Sequence, residues 1–115
     1  MSKLEEITWQ RKKSHTKLMQ LDSKVYKLFL DMENAAFSDG ALKGKLKELI
    51  AAGISVVINC ESGIQYHITR AVEKGATQQE VLEAVEVGIE MGGGPATVSA
   101  RLALEVMDQL FDETP

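Results

Sequence analysis

The sequence has a single cysteine, Cys60, and only two prolines, Pro95 and Pro115. One cysteine cannot form a disulfide within the chain, which excludes the class of small secreted proteins held together by disulfides. Aromatic residues are also few, at 5% of the 115 residues. Hydrophobic residues make up 44% and charged residues 26%, which is the composition of an ordinary globular domain and argues against a disordered chain.

Long apolar runs are absent as well. No stretch approaches the roughly 20 apolar residues that span a bilayer, so we expect no membrane partner. The first residues, "MSKLEEITWQRKK", have no apolar segment followed by a small-residue cleavage site, which is the pattern of a secretory signal. Together with the single cysteine, these features predict a protein of the reducing cytoplasm.

Positive charge is scarce. The net charge is −4, and the one basic run, Arg11 to Lys13, is interpreted as a solvated helix face. Neutralising nucleic-acid phosphates requires clustered Lys and Arg, so no nucleic-acid partner is expected. The glycine-rich run "GGGP" at 92–95 lacks the lysine and serine or threonine of a phosphate loop, and is interpreted as a tight turn. We expect no cofactor and no metal site.

Helix-forming residues dominate, and the sequence predicts one all-α domain of about six helices over residues 1–115. The first predicted helix covers about 3–20, and the second is capped by Asp22 or Ser23 and ended by Gly40. The third and fourth cover about 42–58 and 60–74. The fifth runs from Thr77 to Gly92, and the sixth starts at Pro95. The run "LKGKLKELIAAGISVVI" is interpreted as a buried helix. The last two helices are apolar on more than one side, which predicts self-association.

The segment "INCESGIQYH" at 58–67 contains Cys60 and one of the two histidines, His67. At the start of a helix, the backbone N–H groups and the helix dipole favour a thiolate. Free cysteine is also among the most buried residue types, so an inert core position and a reactive thiol are both open. His67 lies two turns further on, on the same face and about 10.5 Å along the axis. A direct thiol–imidazole hydrogen bond is therefore not expected.

Gly63 and Glu48 complete the pattern. A glycine inside a helix costs roughly 0.5–1 kcal/mol relative to alanine, so either a neighbour packs closely against Gly63 or the space is used. Glu48 lies on the third predicted helix at the edge of an apolar face. It either orients His67 across the helix pair or is a solvated glutamate, and the local pattern alone leaves both alternatives open.

The run "GALKGKLKELIAAGISVVINCESGIQYHITRAVEKGATQQEVLEAVEVGIEMGGGPA" resembles the AhpD-like alkylhydroperoxidase and carboxymuconolactone decarboxylase family over about 40–110. The resemblance implies an oligomeric helical bundle, a homotrimer or homohexamer of single-domain chains. In the peroxidase branch of this family, a glutamate precedes the motif Cys-x-x-Cys-x-x-x-His. The glutamate and the histidine there form a proton relay to the cysteines. By position, Glu48, Cys60 and His67 match this set as catalytic residues, and the second cysteine falls on Gly63.

The resemblance leaves three functions open. The first is AhpD-like peroxidase or thiol–disulfide oxidoreductase activity, an antioxidant activity of the peroxiredoxin type, on a small peroxide or disulfide. The second is decarboxylase-like acid–base chemistry, in which His67 acts with Glu48 or Glu61 and in which Arg70 and Arg101 are candidate anion partners. The third is a non-catalytic oligomeric family member. Because the cysteine expected at Gly63 is absent, the resemblance does not by itself decide whether the chain is an enzyme.

Overall fold

The computed structural model describes residues 1–112, which form six helices and, within that range, no strand. The helices are α1 (Lys3–Gln20), α2 (Lys24–Phe37), α3 (Gly44–Val57), α4 (Glu61–Glu73), α5 (Gln78–Gly92) and α6 (Gly94–Phe111). The prediction of an all-α fold of about six helices is confirmed. The predicted capping box of the fifth helix is also present, because Thr77 Oγ1 accepts from the Glu80 N–H while the Glu80 carboxylate accepts from the Thr77 N–H.

The core lies between the last four helices. Its largest fully buried side chains come from α3, α4, α5 and α6: Val56, Ile64, Ile68, Val81, Val85 and Val106. Burying each such side chain contributes about 1.5–3 kcal/mol, so α3 to α6 carry most of the hydrophobic stabilisation. Ile64 and Ile68 are one turn apart on α4, which turns that face of the helix toward the core.

Two glycines let α3 and α5 approach closely. A Cβ placed on Gly88 would lie 2.7 Å from the carbonyl oxygen of Gly53, and one placed on Gly53 would lie 3.0 Å from the carbonyl oxygen of Ala84. Backbone atoms cannot move aside as a flexible side chain can, so any larger residue would push the helices apart. The close crossing holds α3 firmly against α5 while another face of α3 packs on α4.

The turn between α3 and α4 sets the geometry of the candidate site. Asn59 adopts a left-handed conformation with φ 54°, the Asn59 N–H donates to the Val56 carbonyl at 3.4 Å, and the Cys60 N–H donates to the Ser55 carbonyl at 2.9 Å. This is the Schellman motif, which ends a helix in two residues. Cys60 then serves as the N-cap of α4. Such a short turn makes α3 and α4 antiparallel neighbours.

The prediction that the third helix is buried is wrong for one of its two apolar faces. Leu49, Ala52 and Val56 are buried, but Leu46, Ile50 and Ile54 are 42%, 50% and 54% exposed. The helical period identifies both faces of this helix as apolar. Only the face that carries Leu49, Ala52 and Val56 packs against the core. None of the helices formed by residues 1–112 is long and apolar enough to cross a membrane.

Candidate active site on the α3–α4 hairpin

Glu48 and His67 form a hydrogen-bonded pair between α3 and α4. The Glu48 Oε1 atom lies 2.8 Å from the His67 Nδ1 atom, and Glu48 is only 2% exposed. The other carboxylate oxygen, Oε2, lies 3.7 Å from Arg70 Nε and 3.8 Å from Lys74 Nζ. The structure therefore places Glu48 in the interior between an imidazole and two cations, and the alternative of a solvated glutamate is wrong.

The pairing bears on the role of each imidazole nitrogen. An ionised carboxylate only accepts hydrogen bonds, so a His67 Nδ1 atom that pairs with an ionised Glu48 is the donor. In that tautomer of the neutral ring, the Nε2 atom is an acceptor. A histidine held in this tautomer is suited to act as a general base, and in its protonated form as a general acid.

Aromatic rings pack around the imidazole of His67. The Phe37 ring stacks on it at a centroid distance of 5.2 Å and an interplanar angle of 20°, and the Tyr66 ring meets it edge-on at 5.3 Å and 80°. The side chain of His67 keeps 17% of its surface exposed. Burial, and then the negative charge of Glu33, raise the pKa of the Tyr66 hydroxyl. Two aromatic rings thus pack against the imidazole, and a small part of it faces solvent.

Cys60 is exposed at the other end of the hairpin, so the alternative of a buried core cysteine is wrong. Its Sγ atom accepts the backbone N–H of Gly63 at 3.4 Å, which is the contact of an N-cap side chain. The neighbouring Glu61 carboxylate is paired with Lys3 at 2.6 Å. The sulfur is therefore accessible at the first turn of α4, beside an ion pair.

The space above Gly63 is filled by two neighbouring side chains. A Cβ on Gly63 would lie 2.6 Å from the Ser55 Oγ atom and 3.0 Å from the Cys60 Sγ atom. The close packing considered in the sequence analysis is therefore present. Ser55, at 6% exposed, was not singled out from the sequence. Its signal is its spacing, because it lies seven residues after Glu48, which is two helical turns and hence the same face of α3.

The structure keeps the thiol and the imidazole apart. Within residues 1–112 no hydrogen bond joins Cys60 to His67, in agreement with their two-turn separation along α4.

The two candidate anion partners lie in different places. Arg70 contacts Glu48, whereas Arg101 lines a separate cavity together with Glu61. Within the same range, no group of three or more His, Cys, Asp or Glu side chains is arranged to hold a metal ion.

A six-helix bundle with a thiol, an imidazole and a buried carboxylate on one helical hairpin defines the class of protein. The profile of the carboxymuconolactone decarboxylase family matches residues 23–106, and the chain belongs to this family. Two curated relatives are similar over 82 residues, or 71% of this chain. Uncharacterized protein 4 in the cox locus of Paracoccus denitrificans is 38% identical over 74% of its own length. The uncharacterized protein H16_B0147 of Cupriavidus necator is 37% identical over 73% of its length.

Solved structures share the fold. A carboxymuconolactone decarboxylase family protein of Legionella pneumophila, in its apo form, superposes with a TM-score of 0.89 at 33% identity, over 96% of this chain and 98% of that one. A family protein of Thermotoga maritima superposes with a TM-score of 0.84 at 27% identity, over 93% and 91% of the two chains. That protein is described as a candidate for involvement in the antioxidative response. The resemblance found in the sequence is confirmed.

Proposed function

We propose that the protein is a one-thiol oxidoreductase that reduces small peroxides at Cys60 with the help of an external thiol. The observation that carries this proposal is the exposed Sγ atom at the N-terminus of α4, where it accepts the Gly63 N–H at 3.4 Å. A thiolate in such a position is an accessible nucleophile. The similarity to a Thermotoga maritima protein linked to the antioxidative response supports the same direction.

The proposed cycle has three steps. The Cys60 thiolate attacks one peroxide oxygen, so that an S–O bond forms and the O–O bond breaks. Sulfur loses two electrons, and the departing alkoxide takes up a proton to become an alcohol. The resulting sulfenic acid condenses with an external thiol to give a mixed disulfide and water. A second external thiol then releases the Cys60 thiol and leaves as part of a small disulfide. Because Cys60 is the only cysteine, both reducing thiols come from outside the chain.

The pair of Glu48 and His67 supplies proton exchange in this proposal. The Nε2 atom lies on the other side of the ring from Nδ1. It takes a proton from the incoming thiol when the ring is neutral, and gives one to the alkoxide when the ring is protonated. His67 and Cys60 are separated by about two turns, or 10.5 Å along α4, so proton exchange runs through the substrate or a bridging water. His67 acts on the leaving or attacking group and not on the Cys60 sulfur itself.

The test is peroxide-dependent oxidation of a small dithiol by the purified protein. Cys60→Ser should abolish turnover, and His67→Ala should slow it by about 10²–10⁴-fold, the usual contribution of a general acid or base. His15→Ala is the matched control, because His15 is an exposed histidine that hydrogen-bonds Tyr26 far along the sequence from this site. Full turnover in Cys60→Ser would contradict the thiol mechanism.

A second candidate is acid–base chemistry of the decarboxylase type centred on His67. The observation that favours it is the buried carboxylate of Glu48, whose Oε1 atom lies 2.8 Å from the His67 Nδ1 atom. This candidate predicts the reverse pattern: Cys60→Ser keeps the activity on an anionic substrate, and His67→Ala loses it. If neither variant changes any measured turnover, the chain is instead a non-catalytic member of the family.

A further inference from the structure

Ser55 carries a buried hydroxyl group that the fold leaves without a partner. The residue is 6% exposed and belongs to the last turn of α3. The helical hydroxyl side chains of Thr8, Thr69 and Ser99 donate to the carbonyl four residues earlier, which is a common bond of serine and threonine in helices. Within residues 1–112, the Ser55 Oγ atom makes neither this hydrogen bond nor any other. Burying an unpaired hydroxyl costs free energy that an alanine would avoid, so the packing of α3 does not account for it.

The unpaired oxygen of Ser55 lies beside the sulfur of Cys60. The Ser55 Oγ atom is 2.6 Å, and the Cys60 Sγ atom 3.0 Å, from the position that a Cβ atom would take on Gly63. Both atoms are within 3.0 Å of one point, so the distance between them is less than twice this length. Because residue 63 is a glycine, it places no side chain between the hydroxyl and the thiol. The Ser55 carbonyl also accepts the Cys60 N–H at 2.9 Å, which fixes the turn that carries the sulfur.

Both atoms are open to solvent. Cys60 is exposed. Among residues 1–112, each side-chain nitrogen or oxygen that is sealed from solvent has a hydrogen-bond partner. The Ser55 Oγ atom has no partner, so it is not sealed, although most of its residue is buried. A small polar molecule that approaches the Cys60 sulfur from the side of Gly63 therefore also meets the hydroxyl of Ser55.

The distances suit a single oxygen atom that contacts both groups. A reacting atom held for attack lies about 3–3.5 Å from its nucleophile, and O–H···O hydrogen bonds are about 2.5–3.0 Å long. One oxygen atom at these two distances bridges a gap of the size that separates the Ser55 Oγ atom from the Cys60 Sγ atom. A serine hydroxyl accepts as well as donates, so it can accept the O–H of a hydroperoxide while it keeps its own proton.

We propose that Ser55 is a catalytic residue whose Oγ atom accepts the O–H of a hydroperoxide and directs its terminal oxygen toward the Cys60 sulfur. This inference rests on the proposed function. The S–O bond forms at the terminal oxygen, the O–O bond breaks, and the departing alkoxide takes up a proton. The terminal oxygen keeps its hydrogen and becomes that of the sulfenic acid, while Ser55 neither gains nor loses a proton. The substrates are thus hydroperoxides, because a dialkyl peroxide has no O–H to donate to Ser55.

The test compares two reactions of Cys60 over a range of pH. One is oxidation by tert-butyl hydroperoxide, followed by trapping of sulfenic acid and mass spectrometry. The other is modification by methyl methanethiosulfonate, which reacts with the thiolate but has no O–H or N–H to donate. Ser55→Ala should slow the oxidation about tenfold, the effect of one lost hydrogen bond in the transition state. It should leave the second reaction unchanged at each pH, because Ser55 acts on the peroxide.

The variant should fold, because the hydroxyl that it removes has no partner in the chain, and urea denaturation verifies this. Ser62→Ala is the matched control. It makes the same change two residues after Cys60, at an exposed serine whose hydroxyl accepts from Arg11 at 3.0 Å. Both reactions of Cys60 should keep their wild-type rates in this control.

Three outcomes would overturn the inference. Equal rates of oxidation in the wild-type protein and in Ser55→Ala would remove the role of Ser55 and leave the proposed function standing. A variant that is slowed equally in both reactions would show that the hydroxyl acts on the sulfur itself and not on the peroxide. A wild-type Cys60 that the hydroperoxide does not oxidise would overturn the proposed function, and the role of Ser55 with it.

Discussion

The two ends of the α3–α4 hairpin both carry residues of the candidate site but bury them differently. At one end, the Glu48 carboxylate is 2% exposed and is surrounded by His67, Arg70 and Lys74. At the other end, the Cys60 thiol is exposed and only caps a helix. The spacing of cysteine and histidine in the sequence suggests one compact site. The structure instead separates a buried electrostatic end from an exposed end at which the thiol caps α4.

Removing the buried carboxylate should have the largest effect on stability. Glu48→Ala leaves His67 and Lys74 without this carboxylate, and Arg70 keeps only its pairing with Glu73. We expect a loss of about 3 kcal/mol in the free energy of unfolding, measured by urea denaturation at fixed protein concentration. The matched control is Glu73→Ala, which removes a 54% exposed carboxylate that pairs with Arg70 at the surface and should cost less than about 1 kcal/mol. Equal losses in the two variants would show that burial of Glu48 does not matter.

Filling the space above Gly63 tests the packing at the thiol end. Gly63→Cys forces a Cβ to within 2.6 Å of the Ser55 Oγ atom and should cost about 1–3 kcal/mol. Ser55→Ala removes that oxygen, so the combined variant should regain most of the loss. Urea denaturation of the two single variants and the combined variant gives the coupling between the two positions directly. Additive effects would mean that Ser55 is not what occupies the space.

The same combined variant should also form a disulfide. The Cys60 Sγ atom lies 3.0 Å from the Cβ position of residue 63. In a disulfide with an S–S bond of ~2.04 Å, the Cβ atom of one cysteine lies at about this distance from the sulfur of its partner. Ser55→Ala with Gly63→Cys should therefore lose both free thiols under mild oxidation, as counted by alkylation and mass spectrometry. A variant that keeps two free thiols would show that the helix does not hold dithiol geometry.

Replacing the thiol itself should change stability least among these residues. Serine is a good N-cap, so Cys60→Ser should shift the free energy of unfolding by less than about 0.5 kcal/mol, whereas Cys60→Ala should cost about 1 kcal/mol. The measurement is again urea denaturation, paired with the turnover assay. A large loss of stability in Cys60→Ser would contradict the view that this end of the hairpin serves chemistry.

The titration of the Tyr66 hydroxyl tests how buried the surroundings of His67 are, and its expected effect on stability is smaller than those above. Burial, and then Glu33, raise the pKa of its hydroxyl above the ordinary value of 10.0. The folded state therefore favours the protonated hydroxyl of Tyr66. This contribution to the free energy of unfolding is complete below the ordinary pKa of 10.0 and is lost as the pH rises through the raised pKa of the folded state. Ultraviolet titration should show one tyrosine ionising late, and Tyr66→Phe should remove that phase. Two tyrosines ionising together at their ordinary pKa would contradict the buried setting of Tyr66.

Much of the fold followed from the sequence because helix signals are local. Thr77 with Glu80 marked a helix start, and the run of helix formers indicated six helices. Periodicity shows which residues share a helix face, but it does not show which of two apolar faces the core covers. The pattern therefore predicts that Ile50 and Ile54 are buried, whereas both side chains are exposed at the surface. Ser55 was missed for a related reason: its importance depends on the pairing of α3 with α4 and not on its own surroundings in the sequence.

Direct detection of the sulfur product tests most simply whether peroxide oxidises Cys60. The native protein is treated with a small excess of an alkyl hydroperoxide, and Cys60 is examined by mass spectrometry after trapping of sulfenic acid. Cys60 should gain one oxygen atom, His67→Ala should slow this gain, and an added thiol should reverse it. A Cys60 that stays unmodified while the hydroperoxide is consumed would contradict the proposed peroxidase activity.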